Sequence, residues 1–239
     1  MKNSQTHGRK EIANPIGYTI ALLIIPLTLV TFTIAFLALP ISGSSCLENC
    51  IEYPYLDILS RFPRDYYWMF PAMLLCLVYM GLMGSIHQAA KEEKKFFSLM
   101  GFACAVLAAG VLLLDYFTQV AVIQPSLLMG ETESIAILTQ YNPHGIFIAL
   151  EEVGYILMSI SFLCMAFVFS TANRIEKVLR WILLVSFLLT VISLVGVSLA
   201  YGLMRGYRFE IIVISIDWLT LIAAGIPLAR LFKQQAQIG

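Results

Sequence analysis

Charge is scarce in this sequence, histidine scarcer still, and long polar stretches are missing. Only 13% of the 239 residues are Asp, Glu, Lys or Arg, about half the share found in a soluble domain. Acidic and basic residues balance at 15 each. No excess of positive charge exists to neutralise phosphates, which argues against a nucleic-acid binder. The three histidines, His7, His87 and His144, are too scattered to form a haem-ligating pair. GxSxG, HExxH and Walker A motifs are all absent, removing the usual signatures of serine hydrolases, zinc proteases and P-loop enzymes. No low-complexity linker or polar domain interrupts the chain.

What remains is apolar. Hydrophobic residues make up 59% of the chain and mean hydropathy is +0.84. A soluble fold of this size has too little interior for so much apolar surface, so lipid must cover it. A bilayer core of ~30 Å needs ~20 mainly apolar residues per helix. Six runs qualify: 16–39, 66–88, 96–123, 143–170, 181–203 and 209–232. The expectation is an all-α, polytopic six-helix membrane bundle forming one domain over 1–239. The first run exceeds the ~7–15 apolar residues of a secretory signal, so it reads as a retained helix.

Lys/Arg asymmetry orients the bundle. Lys2, Arg9, Lys10, Lys91, Lys94, Lys95, Arg174, Lys177, Arg180, Arg230 and Lys233 fall on one side. Arg61, Arg64, Arg205 and Arg208 fall on the other. Both termini are therefore expected in the cytoplasm, with the chain in the cell membrane. In the first outer loop Cys46 and Cys50 are expected to form a disulfide, which an oxidising compartment permits; two free thiols are the alternative. Cys76, Cys104 and Cys164 lie within helices and read as small buried apolar residues.

The outer loops are the long ones. In 40–65, aromatics mixed with charges predict a helix lying on the membrane surface; in 124–142, ETESIAILTQ predicts a short cap over the bundle. NPIGYTIAL (14–22) and NPHGIFIAL (142–150) match at six of nine positions. Two readings stand. One is a 3+3 inverted repeat of the kind found in transporters. The other is convergence, since Asn before Pro is a favoured helix start anywhere. Pro26, Pro71 and Pro227 are expected to kink their helices. Ser198, Gly202 and Gly206 form a small-residue row suited to helix–helix association, and so to oligomerisation.

The chemistry lies in carboxylates. Asp115, Glu151, Glu152 and Asp217 all fall inside apolar runs. From the expected helix ends, Asp115, Glu151 and Asp217 each lie about 12–13 Å below the outer surface at 1.5 Å per residue. On insertion scales each ionised acid at a helix centre costs ~2.5–3.5 kcal/mol. No Lys or Arg occurs between Phe96 and Asn173 or between Trp181 and Met204, so only the loop arginines Arg61, Arg64, Arg205 and Arg208 can reach them. Gln119 shares a helical face with Asp115, and Tyr155 with Glu151. Glu152 points about 100° away from Glu151, toward a neighbouring helix or a hydrated mouth. Asp115, Gln119, Glu151, Glu152, Tyr155 and Asp217 are the candidate ligand-binding residues.

Adjacent glutamates also invite comparison with the EExxxR motif of CAAX-type intramembrane peptidases. Ile156 stands where that motif has Arg, and neither His87 nor His144 begins the partner HxxxN motif. That family is excluded. Three classes of function remain. The first is an outward-facing acidic pocket that binds or transports a cation, a proton-coupled solute or an amphiphilic amine. The second is a membrane-embedded enzyme using carboxylates as acid and base on a lipid-like substrate. The third is a structural subunit whose acids serve as interhelical glue. No metal site and no particular cofactor is indicated.

Overall fold

Backbone polar groups in lipid must be satisfied within the segment that carries them, so apolar runs of this length become helices. The computed structural model describes residues 15–38, 42–43, 46, 48 and 50–238, with side chains as far as 234. Lys2, Arg9, Lys10, Asn14 and Leu39, which entered the expectations above, lie outside the described residues. The helices are α1 (Pro15–Leu37), α2 (Met69–Ala89), α3 (Lys95–Thr118), α4 (Gln124–Leu128), α5 (Ile135–Leu138), α6 (Ile146–Ala166), α7 (Arg174–Tyr201) and α8 (Arg208–Ile238). Six of them, α1, α2, α3, α6, α7 and α8, are long and apolar enough to cross a membrane. No strand occurs among the described residues.

The six long helices form a closed ring. Each packs on its sequence neighbour among the spans, α3 on α6 most extensively, and α8 closes the ring against α1. Helix α8 also leans inward onto α6. A closed ring of six has this neighbour order whether or not its halves are related, so the ring alone does not establish the inverted repeat. Close approach depends on small residues at two contacts. A Cβ on Gly154 of α6 would stand 2.6 Å from the Leu112 side chain of α3, and one on Gly225 of α8 would stand 2.5 Å from Ile25 of α1.

Several expectations need correction. Helix α7 starts seven residues earlier than its apolar run, because Asn173 caps it by accepting a hydrogen bond from the Ile175 N–H at 2.9 Å. Its first two turns are polar and so escape a hydropathy reading. Where a surface helix is expected in 40–65, the described residues of 50–66 form two short 3-10 turns, Leu56–Arg61 and Arg64–Tyr66. Pro54 and Pro63 bracket the first turn, and a residue before proline is pushed out of the helical region. Pro71 lies in the first turn of α2, where a missing N–H costs no hydrogen bond, whereas Pro26 and Pro227 are interior. Asn142 does not cap α6. Its Oδ1 accepts from the His144 N–H at 2.9 Å, and Gly145 takes the cap position.

The small-residue row is not one helical face either. Helix α7 ends at Tyr201, and Gly202 and Gly206 both take positive φ, at 55° and 54°. Side chains rarely adopt that conformation, so these glycines turn the chain from α7 into α8. Cys46 and Cys50 form a disulfide with Cα atoms 5.8 Å apart.

Candidate functional site

The end of the ring bearing the loops 42–66 and 129–145 is closed by a hydrogen-bonded lid. Helix α3 passes into a π-helical turn, Gln119–Ile123, which aims Gln119 at the loop following α5. The Gln119 side-chain amide donates to the Leu138 carbonyl at 2.7 Å, and its Oε1 accepts from the Gln140 N–H at 3.0 Å. The Tyr141 hydroxyl donates to Asp65 Oδ2 at 3.0 Å. Ser42 donates to the Tyr141 carbonyl and stands 2.6 Å from the Tyr207 hydroxyl, which donates in turn to the Gln140 carbonyl. Burial pushes the Tyr141 and Tyr207 phenols above their ordinary pKa. Gln119 is therefore a latch for the lid, one turn above Asp115.

Beneath the lid the carboxyls gather. Glu151 is fully buried on α6, and neither of its oxygens has a hydrogen-bond partner at normal distance and angle. Glu210 of α8 and Tyr116 of α3 lie within hydrogen-bonding reach of its carboxyl. Glu210, also buried, faces Glu151, with Glu152 and Asp115 the next charges around it. Asp115 is buried on α3, and one of its oxygens is likewise unpartnered. Gly154, one turn along α6 from Glu151, lets Leu112 of α3 close in, and this contact draws Asp115 and Glu151 together. Below them the Tyr116 and Tyr155 hydroxyls meet at 2.9 Å. Tyr155 stacks edge-on against Trp218, and Tyr116 against Trp68.

Glu152 faces elsewhere. It pairs with Arg205, from the turn between α7 and α8, in a tight ion pair. This is the cation that descends from a loop. Arg205 also lies over the Phe209 ring. The pair borders a cavity of about 530 Å³ between the start of α6 and the α7–α8 turn, lined in part by His144, Ile148, Ser198, Gly202 and Gly206. The three small residues of the supposed association row thus make room for this cavity.

Asp217 is apart from the others. Its Oδ1 accepts from the Ser159 hydroxyl at 2.8 Å, and Ser159 lies 2.8 Å from Thr190 of α7. Ser159 is eight residues beyond Glu151, about 12 Å deeper along α6. The shared depth expected for Asp115, Glu151 and Asp217 therefore fails for Asp217. Helix α6 starts three residues later than expected, which raises Glu151 relative to its surface, while Asp217 lies seven residues beyond Glu210 on α8.

Glu210 is the residue that sequence reading missed. It follows Arg208 at the polar edge of an apolar run, where a carboxylate is ordinarily solvated. Its seven-residue spacing from Asp217 puts both on one face of α8, and that was the available signal. Among the described residues no three His, Cys, Asp or Glu side chains are placed to hold a metal ion together. The chain matches no known family model, no curated protein and no solved structure.

Proposed function

We propose that this multi-pass membrane protein resides in the cell membrane with both termini in the cytoplasm. In this reading it binds a protonated amine or similar organic cation from the outer face, in exchange for protons held by Glu151, Glu210 and Asp115. One observation carries the proposal: Glu151 is fully buried within a span, faces a second buried carboxyl, Glu210, and has no hydrogen-bond partner at normal distance and angle on either oxygen. A buried carboxyl without a partner is tolerated only when it holds a proton or faces a cation. Glu210 and Asp115 beside it supply more carboxyls than the single Arg205 can neutralise.

The chemistry of the surroundings favours an organic cation over a metal ion. Among the described residues the carboxyls do not converge as a cage, while Tyr116 and Tyr155, with Trp218 packed on Tyr155, make the surroundings of the cluster aromatic, and ammonium groups are attracted to aromatic rings. The cavity beside Glu152 and Arg205 has apolar walls that include Ile148 and Leu203, suited to the hydrocarbon part of an amphiphilic amine. Entry passes the ion pair, whose opening would uncover Glu151 and Glu210. Tyr116 and Tyr155 then hydrogen-bond the carboxyl that has released its proton.

The test uses proteoliposomes carrying an internal pH dye and a series of primary to quaternary alkylammonium ions. Adding an accepted amine outside should change luminal pH in the wild type and leave it unchanged in Glu151→Gln. Absence of amine-driven proton movement across the series, with equal thermal stabilisation of wild type and Glu151→Gln by every amine, overturns the reading. Turnover of a lipid-like compound without any gradient would favour the enzyme instead.

A further inference from the structure

The opposite end of the ring holds a second cavity, unconnected with the carboxyl cluster. It has a volume of about 280 Å³ and lies between the α2–α3 turn, the α6–α7 turn and the end of α8. Three cations line it: Lys91 and Lys94 from the first turn, and Arg180 from α7. Among the described residues none of the three is within ion-pair distance of an acid. Arg180 instead lies over the Phe167 ring at 5.6 Å, and Lys94 lies 6.0 Å from that of Phe97. Two acids share the lining, Glu93 and Glu176. Glu176 is already engaged, accepting from the Ser170 N–H at 2.6 Å. Lys95, the next cation along, is also engaged, donating to the His87 carbonyl at 2.7 Å.

The deeper wall is apolar, formed by Ile86, Val168, Phe169, Leu231 and Phe232. Unpaired cations at the rim and hydrocarbon behind them, at the end of membrane-spanning helices, match one kind of ligand. It carries an anionic phosphate at the membrane–water boundary and an acyl chain continuing into the bilayer. We propose that this cavity is a binding site for an anionic phospholipid. Lys91, Lys94 and Arg180 hold the phosphate, and the Phe169–Phe232 wall receives the glycerol and first methylenes. Basic pockets between spans recognise phospholipid headgroups in this way. Arg180 supplies a planar fork that matches two phosphate oxygens, while the lysines contribute compact charges. The proposal does not depend on the reading of the carboxyl cluster.

The test is native mass spectrometry of the full chain released from nanodiscs of mixed phosphatidylglycerol and phosphatidylcholine. The wild type should retain phosphatidylglycerol in preference to phosphatidylcholine, a comparison that needs no variant. Replacing Lys91, Lys94 and Arg180 together by Gln should lower phosphatidylglycerol affinity by about a hundredfold. Arg180→Gln alone should lower it about fivefold. The control removes three charges of the same face that lie outside the cavity, Arg174, Lys177 and Lys233, and should stay within about twofold of wild type. Equal retention of the two lipids, or equal loss in cavity and control variants, overturns the site. Thermal stabilisation by inorganic phosphate that matches phosphatidylglycerol and competes with it would make free phosphate the ligand and overturn the lipid assignment.

Discussion

Two buried acids in the same bundle are treated in opposite ways. Asp217 accepts a hydrogen bond from Ser159 on one oxygen, its other oxygen having no partner, and Ser159 is linked to Thr190, so one carboxyl joins α8 to α6 and α7. Glu151, about 12 Å nearer the lid by the rise of α6, has no partner at normal distance and angle on either oxygen and faces another carboxyl, Glu210. Both are enclosed to the same degree, so burial does not separate them. Satisfaction does. An acid hydrogen-bonded to neighbouring helices contributes to packing, whereas an unpartnered acid beside other acids is costly unless the site has a use for it.

The largest expected effect breaks this comparison most cleanly. Glu151→Gln should bring amine-driven proton movement to background, a loss on the order of a hundredfold or more, while shifting the thermal midpoint little. Asp217→Ala should behave in reverse, costing about 1 kcal/mol of stability through the lost interhelical hydrogen bond. Its activity per folded molecule should be retained. Paired flux and thermal-unfolding measurements decide, and matching profiles for the two variants would erase the distinction.

Next in size is the contact that draws Asp115 toward Glu151. Gly154→Ala places a methyl against Leu112 and should cost roughly 1–3 kcal/mol, read in thermal unfolding. Flux should fall more than stability, because the two carboxyls are pushed apart. A smaller effect is expected at the mouth. Glu152→Gln or Arg205→Gln should change the half-saturating amine concentration by about threefold to tenfold, with maximal flux preserved. If Glu152→Gln matches Glu151→Gln, the two side chains do not divide into mouth and site. The smallest effect belongs to the disulfide. Cys46→Ser with Cys50→Ser should cost about 2 kcal/mol or less, since the closed loop is short. Intact mass after alkylation without reductant should show both wild-type thiols protected.

The spans were legible because a bilayer demands long apolar runs, and their ends were not, because helices continue where hydropathy stops. Arg174–Arg180 is helical through an Asn cap and polar turns. The spacing of Gln119 from Asp115 is visible in the sequence, yet its partners, Leu138 and Gln140, come from a loop reached through a π turn. Glu151 and Glu152 were separable from helical geometry alone, and the Arg205 pairing of Glu152 agrees with a side chain aimed at a mouth. Depth counted from supposed helix ends misplaced Asp217, since three residues of error in α6 move a side chain by about a turn. Glu210 was lost because its neighbour Arg208 made it look interfacial. The six helices were thus readable one at a time, whereas the site depended on how they meet.

Infrared difference spectroscopy tests the central contrast most directly. The protein in lipid films is titrated across pH while the carbonyl stretch of protonated carboxyls is followed. The contrast between Glu151 and Asp217 predicts a titrating band that Glu151→Gln removes or splits, that Glu210→Gln shifts, and that Asp217→Asn leaves in place. A titrating band insensitive to Glu151→Gln, or one removed by Asp217→Asn instead, would contradict it.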